Sequence, residues 1–231
     1  MLAVATRAPA QNGENAVEKP YGYLTVAMNF KDIDAEEFND WYDTEHMVER
    51  INTPGFLNAR RWLGAYDPRV SVSNYDLENF DVLKSPAYRA IVGDGLSPWS
   101  RRIVRKATRI CRFLAEQAVP GRLAGALEAE GMVLFAATVP AAMEDEFNAW
   151  YNEEHLPRMA QVPGVLRARR FRVREAEQPH KYFAIYDLTA PEVEKSQDWQ
   201  DAASTPWTAK LKPHFGDVVR LVLRRYHKKG A

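Results

Sequence analysis

Residues 37–62 read EFNDWYDTEHMVERINTPGFLNARRW, and residues 146–171 repeat this stretch as EFNAWYNEEHLPRMAQVPGVLRARRF. The copies are offset by 109 positions, and 13 of the 26 aligned residues are identical without a gap. Self-similarity at a fixed offset is the sequence signature of a repeated structural unit. We therefore predict that the chain of 231 residues contains two copies of one domain.

The similarity continues on both sides of this stretch. Tyr-Asp-Leu at 75–77 recurs at 186–188, and Ser-Pro-Trp-Ser at 97–100 recurs as Thr-Pro-Trp-Thr at 205–208. Between the copies, a segment with a Pro-Gly pair and many small residues is typical of a connector. The predicted organisation is a flexible N-terminal tail at 1–20, a first repeat at 21–116, a linker at 117–130 and a second repeat at 131–231.

Hydrophobic patterns follow the same order in both copies. A short apolar run, at 21–30 and 131–139, predicts a buried strand, and the motif after it has helical spacing. The Pro-Gly turn then leads into a predicted hairpin, a second helical region and a closing strand. This β-α-β-β-α-β order is that of a ferredoxin-like unit, whose sheet carries helices on one face only.

The uncovered sheet face decides how the two copies meet. An apolar face of that size must be covered, and the simplest cover is the equivalent face of the other copy. We therefore predict an α+β fold in which two ferredoxin-like βαββαβ repeats form an α/β barrel within one chain.

The motif helix places a carboxylate among aromatic side chains. At about 100° per residue, the following residues share one helix face: Phe38, Trp41, Tyr42, Glu45 and His46, with Phe147, Trp150, Tyr151, Glu154 and His155 in the second copy. A buried carboxylate needs a partner or must take up a proton. Arginines at 60–61 and 169–170 on the next strand are the expected ion-pair partners.

The Glu-His pair has a structural and a catalytic interpretation. The glutamate could serve only in a bridge to arginine, and the histidine could be stabilised by its position near a helix C-terminus. A carboxylate beside an imidazole is also a common arrangement for orienting the ring in general acid-base catalysis. On that second interpretation the candidate catalytic residues are His155, His46, Glu154 and Glu45. The aromatic stripe itself is explained by core packing.

Composition excludes several functional classes. Lys plus Arg and Asp plus Glu both number 31, and no basic block suggests nucleic acid as a partner. No apolar run reaches the length of a membrane span, so a membrane is not expected either. The N-terminus lacks the pattern of a signal peptide and there is one cysteine, Cys111, which together fit the cytoplasm. Nucleotide-binding and zinc-binding motifs are missing, and no metal is expected.

The motif F-x-x-W-Y-x-x-E-H-x-P, followed by Pro-Gly and an arginine-bearing strand, resembles the EthD-like group of the dimeric α/β-barrel superfamily. The match is closer in the second copy, because the first has Val48 where the motif has proline. The resemblance covers both halves and implies ferredoxin-like units paired sheet to sheet. It also implies a pocket between helix and sheet, into which the motif histidine points.

Members and relatives of this group suggest a cofactor-independent lyase, dehydratase or isomerase that acts on a small aromatic or polyketide-like metabolite. The expected substrate-binding residues are Tyr151, Tyr42, Trp150, Trp41, Arg169 and Arg60, the two arginines holding a phenolate or carboxylate. No cofactor is expected, with haem as an alternative. A ligand-binding or stress-related barrel without catalysis is a further alternative. A homodimer and the activity of one site or both remain open.

Overall fold

A computed structural model describes residues 18–175 and 178–228, and eight antiparallel strands close into one barrel. Most of the predicted tail, residues 1–17, lies outside the described residues. The strands are β1 Gly22–Asn29, β2 Arg60–Gly64, β3 Val70–Leu77, β4 Thr108–Val119, β5 Gly131–Thr138, β6 Val165–Val173, β7 Tyr182–Leu188 and β8 Gly216–Arg225. The chain therefore has the α+β class and the barrel that the sequence predicted.

The order of strands around the barrel is β1-β3-β2-β8-β5-β7-β6-β4. The first four strands occupy one half in the order β4-β1-β3-β2, and the last four occupy the other half in the matching order β8-β5-β7-β6. The halves join where β2 pairs with β8 and where β4 pairs with β6. Closure pairs both edges of each of the eight described strands, whereas a four-stranded sheet alone would expose two edges.

Helices follow the first and third strand of each half. The long motif helices are α1, residues 35–51, and α4, residues 144–159. The shorter helices are α2 Pro86–Arg89, α3 Pro98–Lys106, α5 Gln197–Ala203 and α6 Pro206–Leu211, with 3-10 turns at Phe80–Lys84, Gly93–Gly95, Ala141–Met143, Pro191–Lys195 and Lys212–His214. Helix α1 is capped by Asp34, which accepts hydrogen bonds from the amides of Glu36 and Glu37. Among the described helices, none has the length and apolarity that crossing a membrane requires.

Side chains from both halves fill the barrel interior. The rings of Tyr23 and Phe171 stack with centroids 4.2 Å apart, and Phe113 and Phe183 stack at 4.9 Å. Trp62, Met132 and Leu223 belong to the same buried cluster. The barrel interior is thus a packed core.

The connector between the halves enters the barrel. Strand β4 extends to Val119, past the predicted repeat boundary at 116. Further along, Gly125 donates its amide hydrogen to Asp76 and Ala126 donates to Asp187, and both contacts are buried. Polar groups of both halves therefore hold this segment by its backbone.

Candidate functional site

Each motif helix contains a π-helical turn at the Glu-His sequence. The turns are Tyr42–His46 and Trp150–His155, where a regular helix was expected. The amide of Met47 reaches back five residues to the carbonyl of Tyr42, and Leu156 does the same to Tyr151. The wider turn changes the angular spacing, so the regular helical wheel fails at this point. Such turns occur frequently at functional sites.

The two glutamates bind hydroxyl groups of the neighbouring helix. Glu45 accepts hydrogen bonds from Ser97 Oγ at 2.5 Å and Ser100 Oγ at 2.9 Å. Glu154 accepts one from Thr205 Oγ1 at 2.6 Å. The ion pairs expected with the arginines of the next strand are therefore wrong. The glutamates instead hold each motif helix against the start of α3 or α6.

Within the described residues, neither glutamate hydrogen-bonds to the histidine that follows it. The histidines pack on aromatic rings instead. His46 lies 4.4 Å from the Trp41 ring, centroid to centroid, and His155 lies at the same distance from Trp150. Each ring also meets a tyrosine edge to face: Tyr42 at 5.2 Å and Tyr151 at 5.1 Å. Packing against the aromatic rings thus fixes the imidazole orientation, without a contact from the carboxylate.

Burial keeps both histidines uncharged. Desolvation lowers the pKa of His155 to about 4, helped by the positive charges of Arg158 and Arg170. The pKa of His46 is well below its ordinary value for the same reason, with Arg50 and Arg61 contributing. The Nδ1 atom of each ring is buried without a hydrogen-bond partner in the described chain. Nε2 is thus the ring nitrogen left to meet a ligand.

A cavity lies beside each histidine, between the motif helix and the outer face of the sheet. The first has a volume of about 480 Å³ and is lined by Trp41, Tyr42 and His46. The second has a volume of about 450 Å³ and is lined by Trp150 and His155. Both volumes lie within the range of small-ligand sites. Of the predicted aromatic residues, Tyr151 does not line the second cavity; it packs behind His155.

Tyr75 and Tyr186 line the two cavities, and the sequence reasoning did not single them out as site residues. In the second half the hydroxyls of Tyr151 and Tyr186 are 3.3 Å apart. Burial raises the pKa of Tyr186 well above its ordinary value, so its hydroxyl stays protonated. The recurrence of Tyr-Asp-Leu in both copies was the available signal, but nothing in the pattern indicated that this strand faces the motif helix.

Arg60 and Arg169 lie away from both cavities. Their side chains are 2% and 0% exposed inside the barrel, together with Asp76 and Asp187. Arg169 Nη1 is 2.7 Å from Asp76 Oδ1, and its Nη2 is 3.2 Å from Asp187 Oδ2. Burial alone would raise the pKa of the Asp76 carboxyl. The positive charge of Arg169 and the hydrogen bonds that Asp76 accepts outweigh burial, so this pKa is lowered. The network joins the two halves of the chain.

Arg61 and Arg170, the second arginine of each pair, support the motif tyrosines. The Arg61 guanidinium lies 4.4 Å from the centre of the Tyr42 ring and donates to Asn39 at 2.7 Å. Arg170 lies 4.6 Å from the Tyr151 ring and donates to Asn148 and Asn152. These contacts fix the aromatic rings on which the histidines rest.

Comparisons with known proteins agree on the fold. A family model described as a domain of unknown function, DUF4286, matches residues 132–225. No curated protein matches the sequence. The fold resembles that of solved barrel structures at low sequence identity, so the likeness concerns the fold alone.

Three of these structures illustrate the range. A proposed monooxygenase from Lactobacillus acidophilus is 15% identical with a TM-score of 0.58, covering 90% of this chain and 94% of its own. An anthrone oxidase-like protein is 10% identical with a TM-score of 0.63, covering 91% and 93%. A variant chlorite dismutase from Candidatus Nitrospira defluvii is 11% identical with a TM-score of 0.56, covering 92% and 93%. The chain therefore shares the fold of these three proteins.

Proposed function

We propose that the chain is a cofactor-independent enzyme that moves protons on a small aromatic or polyketide-like metabolite, as a lyase, dehydratase or isomerase. The observation that carries the proposal is an uncharged histidine in the wall of each small-ligand cavity, with one ring nitrogen buried and unpartnered. The likeness to barrels named as enzymes of small molecules supports it. The two halves, 21–116 and 131–231, are in this proposal duplicated ferredoxin-like units of an EthD-like protein.

In this mechanism Nε2 of His155 or His46 takes a proton from a carbon next to a substrate carbonyl. Since the imidazole is neutral before reaction, its Nε2 lone pair is available to take this proton, although burial makes the ring a weaker base than a free imidazole. The resulting imidazolium lies next to the enolate, and in a cavity of low polarity their attraction is strong. Returning the proton to another carbon isomerises the substrate, while giving it to a departing hydroxyl releases water.

The other residues bind and position in this mechanism. Tyr186, whose hydroxyl remains protonated, is placed to donate a hydrogen bond to a substrate oxygen. Trp150 and Trp41 provide apolar surface for an aromatic ring. Glu154 and Glu45 act as positioning residues, through the hydroxyl groups that they bind. Arg60 and Arg169 are not assigned to substrate, because they are engaged with carboxylates inside the barrel.

The proposal is tested with hydroxylated aromatic and polyketide-like ketones, by mass spectrometry for loss of water or for rearrangement. The variant with both His46→Gln and His155→Gln is expected to lose at least ~100-fold in turnover, the typical contribution of general acid-base catalysis. Its ligand binding, followed by quenching of tryptophan fluorescence, is expected to remain. The control is His214→Gln, which changes an exposed histidine.

Four results would contradict this function. Turnover within a few-fold of the unmodified protein in the double histidine variant would remove the proposed base. Ligand binding without turnover of any tested compound would favour the alternative function, a barrel that binds ligands without catalysis. An absorption spectrum with a Soret band would establish haem, and oxygen consumption during turnover would indicate oxidation instead of proton transfer.

A further inference from the structure

The two cavities correspond position by position. Their linings include the pairs Trp41 with Trp150, His46 with His155 and Tyr75 with Tyr186. Each cavity thus presents an imidazole, an indole and a phenol in the same arrangement on the same elements. Any chemical difference between the cavities must come from the positions where the copies diverge.

The largest such difference is Arg50 in the first cavity, which corresponds to Met159 in the second. Both residues follow the motif histidine by four positions, one helical turn later. Arg50 is only 4% exposed. A buried cation in the wall of one cavity is therefore replaced by an uncharged thioether in the wall of the other.

The hydrogen-bonding capacity of Arg50 is incompletely used. Its Nη2 donates to the carbonyl of Ile91 at 3.3 Å. Its Nη1 makes no hydrogen bond in the described chain and has only a long ion pair, at 3.6 Å, with the partly exposed carboxylate of Glu49. A buried guanidinium with unused donors is costly, and a ligand carboxylate in the cavity could supply the hydrogen bonds that Glu49 does not.

Charges elsewhere in the first cavity have the same sign. Its lining includes Arg109 and Arg112, and no described residue of the lining is an Asp or Glu. Arg112 is bound to Glu175 at 2.8 Å, whereas Arg109 has an exposed side chain. The first cavity therefore carries positive charge both in its buried wall and at its exposed positions.

The second cavity carries positive charge only near its rim. Lys212 and Arg220 have exposed side chains, and Arg220 is bound to Glu194. Arg158, one residue before Met159, donates to the carbonyls of Asp201 and Ala202 and does not line this cavity. The wall beside His155 is thus aromatic and uncharged.

We propose that the two cavities bind different ligands: an aromatic carboxylate in the first, held by Arg50 beside His46, and an uncharged aromatic compound in the second, beside His155. This inference depends on the proposed function only for the place of the ligand next to each histidine. It concerns binding, so it is tested without turnover.

The probes are 2-naphthoate and 2-naphthamide, which share a ring system and differ in charge. Arg50→Met, which copies the second cavity, is expected to weaken 2-naphthoate binding by ~10-fold or more, as expected for losing a hydrogen bond to a charged group. Binding of 2-naphthamide is expected to change less than about 3-fold, which is under 1 kcal/mol. Arg50→Lys keeps the charge and serves as the matched control. Isothermal titration calorimetry measures all three.

A second measurement uses the unmodified protein and does not depend on the folding of a variant. The imidazole resonances of His46 and His155 are assigned by NMR from the His→Gln variants, and each probe is titrated in turn. Naphthoate is expected to shift the His46 resonances, and naphthamide those of His155. Equal shifts at both histidines with naphthoate, no naphthoate binding, or equal losses for both probes in Arg50→Met would overturn the proposal. Loss of catalysis alone would leave these binding results unchanged.

Discussion

Arg169 and Asp76 come from opposite halves of the chain, and their side chains meet at 2.7 Å inside the barrel, where neither is exposed. Asp76 also accepts hydrogen bonds from Asn58 and from the amide of Gly125. Arg169 contacts Asp187 of its own half as well. This buried network links both halves to the connector, so a substitution in it should lower the stability of the whole fold.

We expect Asp76→Asn to destabilise the protein by about 3–5 kcal/mol, because it leaves the two buried arginines, Arg60 and Arg169, with Asp187 as their one remaining carboxylate partner among the described residues. Urea unfolding at neutral pH measures the loss. Asp81→Asn provides the control, since Asp81 pairs with Lys19 and Lys84 at the exposed surface. The control is expected to unfold with the unmodified protein. Similar midpoints for Asp76→Asn and Asp81→Asn would show that the network contributes little to folding.

Gly125→Ala is expected to cost about 1–3 kcal/mol, the usual effect of overpacking a filled interior. A Cβ at this position would lie 1.6 Å from Nη2 of Arg60 and 2.8 Å from Nη2 of Arg169. The buried contacts of both arginines leave no free space into which they could move. Ala124→Ser, at an exposed neighbouring position, is the control, and thermal unfolding compares the two. An unchanged melting temperature for Gly125→Ala would mean that the connector does not pack as described.

Stability should fall as the pH falls through the window between the ordinary histidine pKa and about 4. Burial lowers the pKa of His155 to about 4, and His46 is shifted in the same direction. In this window the unfolded chain binds protons that the folded chain does not, so acid favours unfolding. Urea unfolding near pH 5 and pH 7.5 should show a smaller difference in the His46→Gln, His155→Gln variant. The same pH dependence in both proteins would argue against uncharged, buried histidines.

Glu154→Gln is expected to retain most of the stability and activity, whereas Glu154→Ala should lose about 1 kcal/mol or more. The glutamate accepts a hydrogen bond from Thr205, and a glutamine oxygen can accept the same bond. Unfolding midpoints and turnover are measured for both variants, with Thr205→Val as the partner control. A Gln variant as impaired as the Ala variant would show that the negative charge itself is needed.

Several elements of the fold could be predicted from the sequence because their signals are local. The cap at Asp34 and the Pro-Gly turns follow from backbone preferences of single residues. Likewise, the repeated order of apolar runs required a second sheet to cover the first. Adjacent residues on a strand point to opposite faces of the sheet. The sequence did not indicate which arginine of each pair would enter the barrel. Arg60 enters the barrel, while Arg61 lies under Tyr42 of the motif helix.

The sequence by itself determined that one unit occurs twice, that the units form a barrel, and that an imidazole and aromatic rings occur together on each motif helix. Only the tertiary structure decided what these groups meet. The π-helical turn rotates the glutamate toward hydroxyls of the next helix, which are 52 or more residues away for Glu45. The difference between Arg50 and Met159 has an energetic consequence only in the folded chain. Burial is what makes a charge costly, and burial is a property of the folded chain.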